Sequence, residues 1–257
     1  MEGYEVRIIT VANQKGGVGK TTTAQALCAG LANKGFKVLG IDLDPQGNFS
    51  VASGANNKEY VTIRDILYRL VSVSDAIQTV AGGYDIIPSN IILATAEQQL
   101  TQTGKEFRLK EALEEVEGKY DYIIIDTPPN LGILTINAFT ACHSVIVPTT
   151  ADYFATAGIV ELSRSIKDIQ KYCNPRISIA GTLFTRFNAR TKIAQDMEQI
   201  AREISEQLHI PIFNTKIRTA VAVIESQAQK QDIFDYAKNS TVAKDYQEFI
   251  DEFLLCK

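Results

Sequence analysis

Two lysines flank a glycine-rich turn in Asn13-Gln14-Lys15-Gly16-Gly17-Val18-Gly19-Lys20-Thr21-Thr22, and both are placed to meet phosphate. Lys20 and Thr21 end a P-loop. In such a loop backbone N–H groups cradle phosphates, the lysine reaches them, and the hydroxyl holds Mg²⁺. Gln14 stands where the general G-x-x-x-x-G-K-[ST] pattern has its first glycine, so this is a variant of the loop. Lys15 is surplus to the phosphates of one nucleotide, and a second role is expected of it.

Two further groups of residues could act on a phosphate held there. The run Tyr122-Ile123-Ile124-Ile125-Asp126 ends in a carboxylate before Thr127-Pro128-Pro129. An acid at the carboxyl end of an apolar strand is placed to hold Mg²⁺, usually through water. Asp42 and Asp44 alternate around Leu43 and are expected to share one side of a strand end. Such a pair could serve the metal and the attacking water, because phosphoryl transfer depends mainly on positioning and charge compensation.

These groups need elements to aim them. Val6–Ala12 reads as a buried strand running into the loop, and Thr21–Lys34 as a helix closed by Gly35. That order sets a helix N-terminus, with its partial positive charge and free N–H groups, beneath the phosphates. Further short apolar runs at Lys37–Leu43, Tyr84–Ile87, Tyr120–Asp126, Ser144–Pro148, Ile177–Phe184 and Ile212–Ile217 read as strands covered on both faces. Amphipathic helices fit between them at Lys105–Glu117, Gly158–Tyr172 and Ala194–Leu208. The expected fold is α/β, a doubly wound, mostly parallel sheet flanked by helices, with residues 1–257 as one domain. Asp44–Asp75 is the least regular segment and is expected to hold a nucleotide-sensing loop.

Composition narrows the function classes. The chain has 257 residues, 45% of them hydrophobic and 22% charged, which suits one sizeable α/β domain. No apolar run is long enough to span a membrane, and the N-terminus does not read as a signal peptide, so a cytoplasmic protein is expected. Cys28, Cys142, Cys173 and Cys256 form no C-x-x-C pair, and His143 and His209 are isolated, which argues against a zinc site. The net charge of −4 is against a wholly basic nucleic-acid binder. From Arg164 to Lys192, however, seven cations face the single acid Asp168. That stretch reads as a local phosphate-binding surface or, more blandly, as a solvated face.

The Lys15–Thr22 loop, Asp42-Leu43-Asp44-Pro45-Gln46-Gly47-Asn48 and Asp126-Thr127-Pro128-Pro129 together resemble the ParA family, the deviant Walker A partition ATPases within the wider MinD/ParA group. The likeness runs nearly end to end. It extends to Val147-Pro148, Tyr153-Phe154-Ala155, Gly158, Ile233-Phe234-Asp235-Tyr236 and Asp245-Tyr246, and to the short N-terminus of the branch without a helix-turn-helix domain.

The resemblance implies an ATPase of weak intrinsic activity that uses ATP and Mg²⁺ and forms an ATP-dependent sandwich homodimer. Residues Lys15, Gly16, Gly17, Val18, Gly19, Lys20, Thr21 and Thr22 would bind nucleotide. Lys15 would reach the partner's phosphates, somewhat as an arginine finger does. Lys20 would bind the β- and γ-phosphates, Thr21, Asp42 and Asp126 would serve the metal, and Asp44 would orient the attacking water. The dimer would bind double-stranded DNA without sequence preference and release it after hydrolysis stimulated by a ParB-like centromere-binding protein, so the protein would be nucleoid-associated when ATP-bound. Arg190, in Asn188-Ala189-Arg190-Thr191, matches a family arginine that contacts DNA. Arg218 is the second candidate, with Lys192 and Arg186 from the basic stretch.

Alternatives are an ATPase that positions a protein cargo and a MinD-like membrane-associated ATPase. The tail from Tyr246 onward is amphipathic but acidic, so it is expected to pack on the sheet and not on anionic lipid. An electron-transfer ATPase like the nitrogenase iron protein would need bridging cysteines, and Asp126–Leu134 has none.

Overall fold

Every residue of Val38–Asp42 and of Tyr122–Asp126 is buried, which is possible only for strands covered on both faces. The computed structural model describes residues 6–152 and 155–255 and builds that cover. Tyr153, Phe154 and Cys256, named above, lie outside the described residues.

The strands are β1 (Arg7–Val11), β2 (Val38–Asp42), β3 (Gln78–Thr79), β4 (Asp85–Ile87), β5 (Tyr122–Asp126), β6 (Ser144–Thr150), β7 (Ser178–Phe187) and β8 (Ile212–Arg218). They form one sheet in the order β3-β4-β2-β5-β1-β6-β7-β8, parallel except for the β3–β4 pair. Among the strands expected from sequence, all are present with ends moved by a few residues. The two-residue β3 carries too little apolar pattern to be read in advance.

The helices are α1 (Lys20–Asn33), α2 (Asn48–Ala52), α3 (Ile63–Leu67), α4 (Val73–Ala76), α5 (Ala96–Gln99), α6 (Arg108–Leu113), α7 (Ile133–Ala141), α8 (Ala155–Tyr172), α9 (Lys192–Leu208), α10 (Val221–Ala228), α11 (Ile233–Tyr236) and α12 (Thr241–Leu255). The expected single helix over Lys105–Glu117 is α6 flanked by 3₁₀ turns at Lys105–Phe107 and Glu114–Val116. The segment expected to be irregular, Asp44–Asp75, contains α2, α3 and α4. Reciprocal capping by Thr62 with Asp65 and by Ser72 with Asp75 starts the latter two.

Side chains alternate across the sheet with period two. Ile123 and Ile125 enter a layer with Leu109, Leu134, Phe139 and Leu162. Tyr122 and Ile124 enter the opposite layer with Leu27, Leu31, Phe249 and Phe253. The C-terminal helix α12 belongs to that second layer. Its Phe249 ring lies 5.0 Å from Phe213 of β8, edge to face, and Val242, Tyr246, Ile250 and Phe253 are buried with it. The apolar face of the tail is therefore spent on the core, as its acidic composition leads one to expect. No helix among the described residues is long and apolar enough to cross a membrane.

Candidate nucleotide site

Parallel strands deliver their carboxyl ends to one edge of the sheet, where ligands bind in folds of this kind. The register matters here, because Asp126 stands opposite both Val11 and Asp42. Thus the end of β1, which feeds the glycine loop, lies beside the two strand-end carboxylates. A cavity of about 630 Å³ opens at this edge. Gly16, Gly17, Gly19, Lys20, Thr21 and Thr22 of the loop line it, together with Asp44, Gln46 and Pro129.

Contacts within the chain hold the loop in shape. Gly17 and Gly19 have φ of +73° and +85°, left-handed values that favour glycine. Asn13 anchors the entry: its Nδ2 donates to Pro148 O at 2.8 Å and its Oδ1 accepts from Lys15 N at 3.0 Å. Thr185 supports the back, donating from Oγ1 to Val18 O at 2.7 Å. Thr185 is 167 residues from Val18, and no local pattern announces it.

Lys20 is 7% exposed, and its ammonium donates to Lys15 O at 3.1 Å. Burial lowers its pKa, against the opposing attraction of Asp126 and Asp44. Asp126 is fully buried. Burial pushes its carboxyl well above the usual range, with Asp42 adding to the shift and the Thr21 hydroxyl opposing it. Thr21 Oγ1 donates to Asp126 Oδ2 at 2.7 Å, while Asp126 Oδ1 is buried with no hydrogen-bond partner. A buried carboxylate oxygen without a donor, beside a hydroxyl and a phosphate loop, fits a divalent cation. Among the described residues no three His, Cys, Asp or Glu side chains cluster to cage an ion alone. The Thr21–Asp126 pair therefore suits Mg²⁺, which commonly takes one or two protein oxygens and completes its shell with phosphate and water.

Asp42 and Asp44 part company. Asp44 lines the cavity, its Oδ1 accepting from Gln46 N at 2.9 Å. The Asp42 carboxylate is turned onto Ser50 instead, accepting from its N at 2.8 Å and its Oγ at 2.7 Å. Asp42 Oδ1 also accepts from Asp44 N at 3.1 Å. Asp42 thus fixes the segment that carries Asp44, and burial raises its pKa to about 6. Gly47, with φ +64°, lets this segment pass Ser89, whose carbonyl oxygen would lie 2.8 Å from a Cβ at that position.

Lys15 does not reach into the cavity's phosphate end. Its ammonium is paired with Asp152 and donates to Thr150 Oγ1 at 3.3 Å. Sequence reading missed both partners, and also Gln227, whose Nε2 donates to Thr22 Oγ1 at 3.1 Å across 205 residues.

The cations expected at DNA do not form one surface. Lys171 and Arg176 precede β7, whereas Arg190 and Lys192 follow it. A strand of 10 residues separates the two groups by roughly 30 Å. Arg190 and Lys192 are exposed at the nucleotide edge of the sheet. Arg186 lies in the cavity wall. Arg218 is engaged by Asp245, with its Nε 2.9 Å from Asp245 Oδ2.

A parallel sheet, a glycine loop with a lysine at each side, and a Thr–Asp pair beneath it define a P-loop nucleotide-binding protein of the variant type. Comparison with known proteins gives the family. Residues 6–179 match the AAA domain family. The chain is 40% identical over 249 residues to the sporulation initiation inhibitor protein Soj of Bacillus subtilis, covering 96% of this chain and 97% of that one. It is 37% identical over 241 residues to the chromosome partitioning protein ParA of Caulobacter vibrioides, covering 92% and 89%. A solved structure of cobyrinic acid a,c-diamide synthase from Mycobacterium smegmatis, with bound ATP analogue and magnesium, superposes with a TM-score of 0.85 at 35% identity, covering 97% of this chain and 94% of that one. The chain belongs to the ParA/Soj family of P-loop partition ATPases.

Proposed function

We propose that this protein is an ATP-dependent DNA partition ATPase that uses ATP and Mg²⁺. Its ATP-bound sandwich dimer binds duplex DNA without sequence preference and releases it after hydrolysis stimulated by a ParB-like partner. In the cell it is cytoplasmic, and nucleoid-associated while ATP is bound. The observation that carries this reading is the disposition of the two loop lysines. Lys20 is buried at the phosphate end of its own cavity, whereas Lys15 is held outside it on Asp152 and Thr150. A lysine kept on the loop yet away from its own phosphates is suited to a nucleotide on a second subunit.

The chain's residues divide the work. Loop N–H groups and Lys20 bind and orient the triphosphate. Thr21 and Asp126 would hold the metal, which would supply neutralisation of phosphate charge. Asp44, on a segment tied down through Asp42 and Ser50, orients the attacking water. Lys15 of the partner subunit completes the charge compensation after dimerisation. The exposed Arg190 and Lys192, doubled in a dimer, supply contacts to DNA phosphate, an interaction that weakens steeply with salt.

The test is binding to a duplex of arbitrary sequence with ATP, with ADP and without nucleotide, for the wild type and Arg190→Glu. Binding with ATP alone, lost in the variant, supports the reading. Absence of binding by a confirmed ATP dimer would overturn it in favour of a protein cargo.

A further inference from the structure

The chain leaving β4 accompanies the chain leaving β2, because the two strands are parallel with Ile41 opposite Ile87. Ser89, just past the end of β4, is fully buried, and its hydroxyl has no hydrogen-bond partner. Its two main-chain polar groups are both engaged. Ser89 N donates to Ser50 Oγ at 2.8 Å, and Ser89 O accepts from Asn57 Nδ2 at 2.9 Å. A residue that works through its backbone in this way braces what lies beside it.

Beside it is the turn that carries Asp44. Gly47 N donates to Asp44 O at 2.9 Å, and Gln46 N to Asp44 Oδ1 at 2.9 Å, so Asp44 and Gly47 move as one piece. Gly47 bears directly on the brace. A Cβ there would stand 2.8 Å from Ser89 O and 2.9 Å from Asn57 Nδ2, closer than Cβ atoms approach. The Asn57 amide therefore meets both the turn and the exit of β4. Asn57 is itself held by Asn90, whose Nδ2 donates to Asn57 O at 3.0 Å and whose Oδ1 accepts from Ile92 N at 3.1 Å.

We infer that Asn57 is a positioning residue for ATP hydrolysis, acting through Ser89 and the Asp44–Gly47 turn on the carboxylate that orients the attacking water. This rests on the reading of Asp44 given above. Asp42 ties the segment at Asp44 N and at Ser50, which leaves Gly47 to be braced by Ser89 and Asn57. The demand on such a brace is high, since a misplacement of about 1 Å at a reacting centre can cost roughly a hundredfold in rate. Asn57 is not among the described residues that line the cavity, so its loss is expected to spare ATP binding.

Asn57→Asp keeps the shape of the side chain and removes the donor. Single-turnover hydrolysis in Mg²⁺ is measured for the wild type, Asn57→Asp, Asp44→Ala and the double variant, with ATP affinity from calorimetry and dimerisation from sedimentation. Asn57→Asp is expected to hydrolyse ATP roughly three- to tenfold more slowly, with affinity and dimerisation unchanged. Added to Asp44→Ala it is expected to slow hydrolysis no further, because a residue that acts through another is silent once that other is gone. Asn57→Ala, which brings no new charge, repeats the measurement if the aspartate variant folds poorly. An unchanged rate, a loss of ATP affinity or dimerisation that matches the loss of rate, or further slowing in the Asp44→Ala background would each overturn the proposal. Wild-type turnover by Asp44→Ala alone would sink the reading of Asp44, and the proposal with it, a result told apart from the others by that single variant.

Discussion

Lys15 and Asp152 are ion-paired beside the phosphate loop, and Thr150 Oγ1 lies within hydrogen-bonding distance of both, 3.3 Å from the ammonium and 2.6 Å from the carboxylate. Each side chain of the pair is more than a third exposed. Such pairs are worth at most about 1 kcal/mol. The contact is strong enough to park the lysine and weak enough to release it. Asp152→Ala is therefore expected to lower the ATP concentration needed for dimerisation by roughly two- to fivefold. Sedimentation across an ATP titration measures this, and an unchanged midpoint would remove the pair from the cycle.

Lys20→Ala removes a buried cation from the phosphate end. Charge-assisted contacts of this kind are worth about 1.5–3 kcal/mol, so ATP affinity should fall roughly tenfold to a hundredfold. ATP-dependent dimers should disappear at the concentrations that suffice for the wild type. Titration calorimetry with light scattering decides the point.

Asp44 lines the cavity, and its backbone is fixed from behind by Asp42. Asp44→Ala should bind ATP and dimerise normally but hydrolyse it roughly a hundredfold or more slowly, in the range seen when a general base is lost. Normal phosphate release by this variant would exclude Asp44 from the reaction.

Asp42 carries a pH signature of its own. Burial raises its folded-state pKa to about 6, from an ordinary aspartate value of about 4. Its stabilising contribution is therefore fully present below about pH 4 and is lost as pH rises through 6. Across that window the loss is roughly 3 kcal/mol at most. In Mg²⁺-free buffer, Asp42→Asn should flatten the fall in melting temperature between pH 4 and pH 7 relative to wild type. Parallel profiles for the two proteins would contradict the shift.

Arg218 and Arg190 should separate when each is replaced. Arg218 partners Asp245, whose side chain is only 6% exposed, so Arg218→Ala leaves a buried carboxylate without its cation. The half-exposed arginine tempers the cost to about 1–3 kcal/mol, seen as a lower melting temperature. Arg190→Glu should leave melting unchanged while abolishing binding to duplex DNA. A destabilised Arg190→Glu protein would mean that this residue, too, is structural.

The strands and the loop were legible because their causes are local. Continuous runs such as Tyr122–Asp126 state their burial, and Lys20-Thr21 states its chemistry within two residues. What was not legible depends on distant chain. Asp152 and Thr150 meet Lys15 across more than a hundred residues, and Gln227 meets Thr22 across two hundred. The role of Asp42 could not be read from alternation, because beyond the strand end the chain turns and Ser50 claims the carboxylate. The basic stretch misled for a related reason: neighbours in sequence lie at opposite ends of β7. The caps at Thr62 and Ser72 were present in the sequence, but with aspartate in the place of the commoner glutamate.

The packing of α12 against α1 has a consequence for synthesis. The helix that follows the phosphate loop finds part of its hydrophobic layer only in Phe249, Ile250 and Phe253, more than two hundred residues downstream. At about 5–20 residues per second, ribosomes deliver that partner roughly ten to fifty seconds after the loop has emerged. A nascent or truncated chain thus exposes the underside of α1, the helix whose first turn carries Lys20 and Thr21.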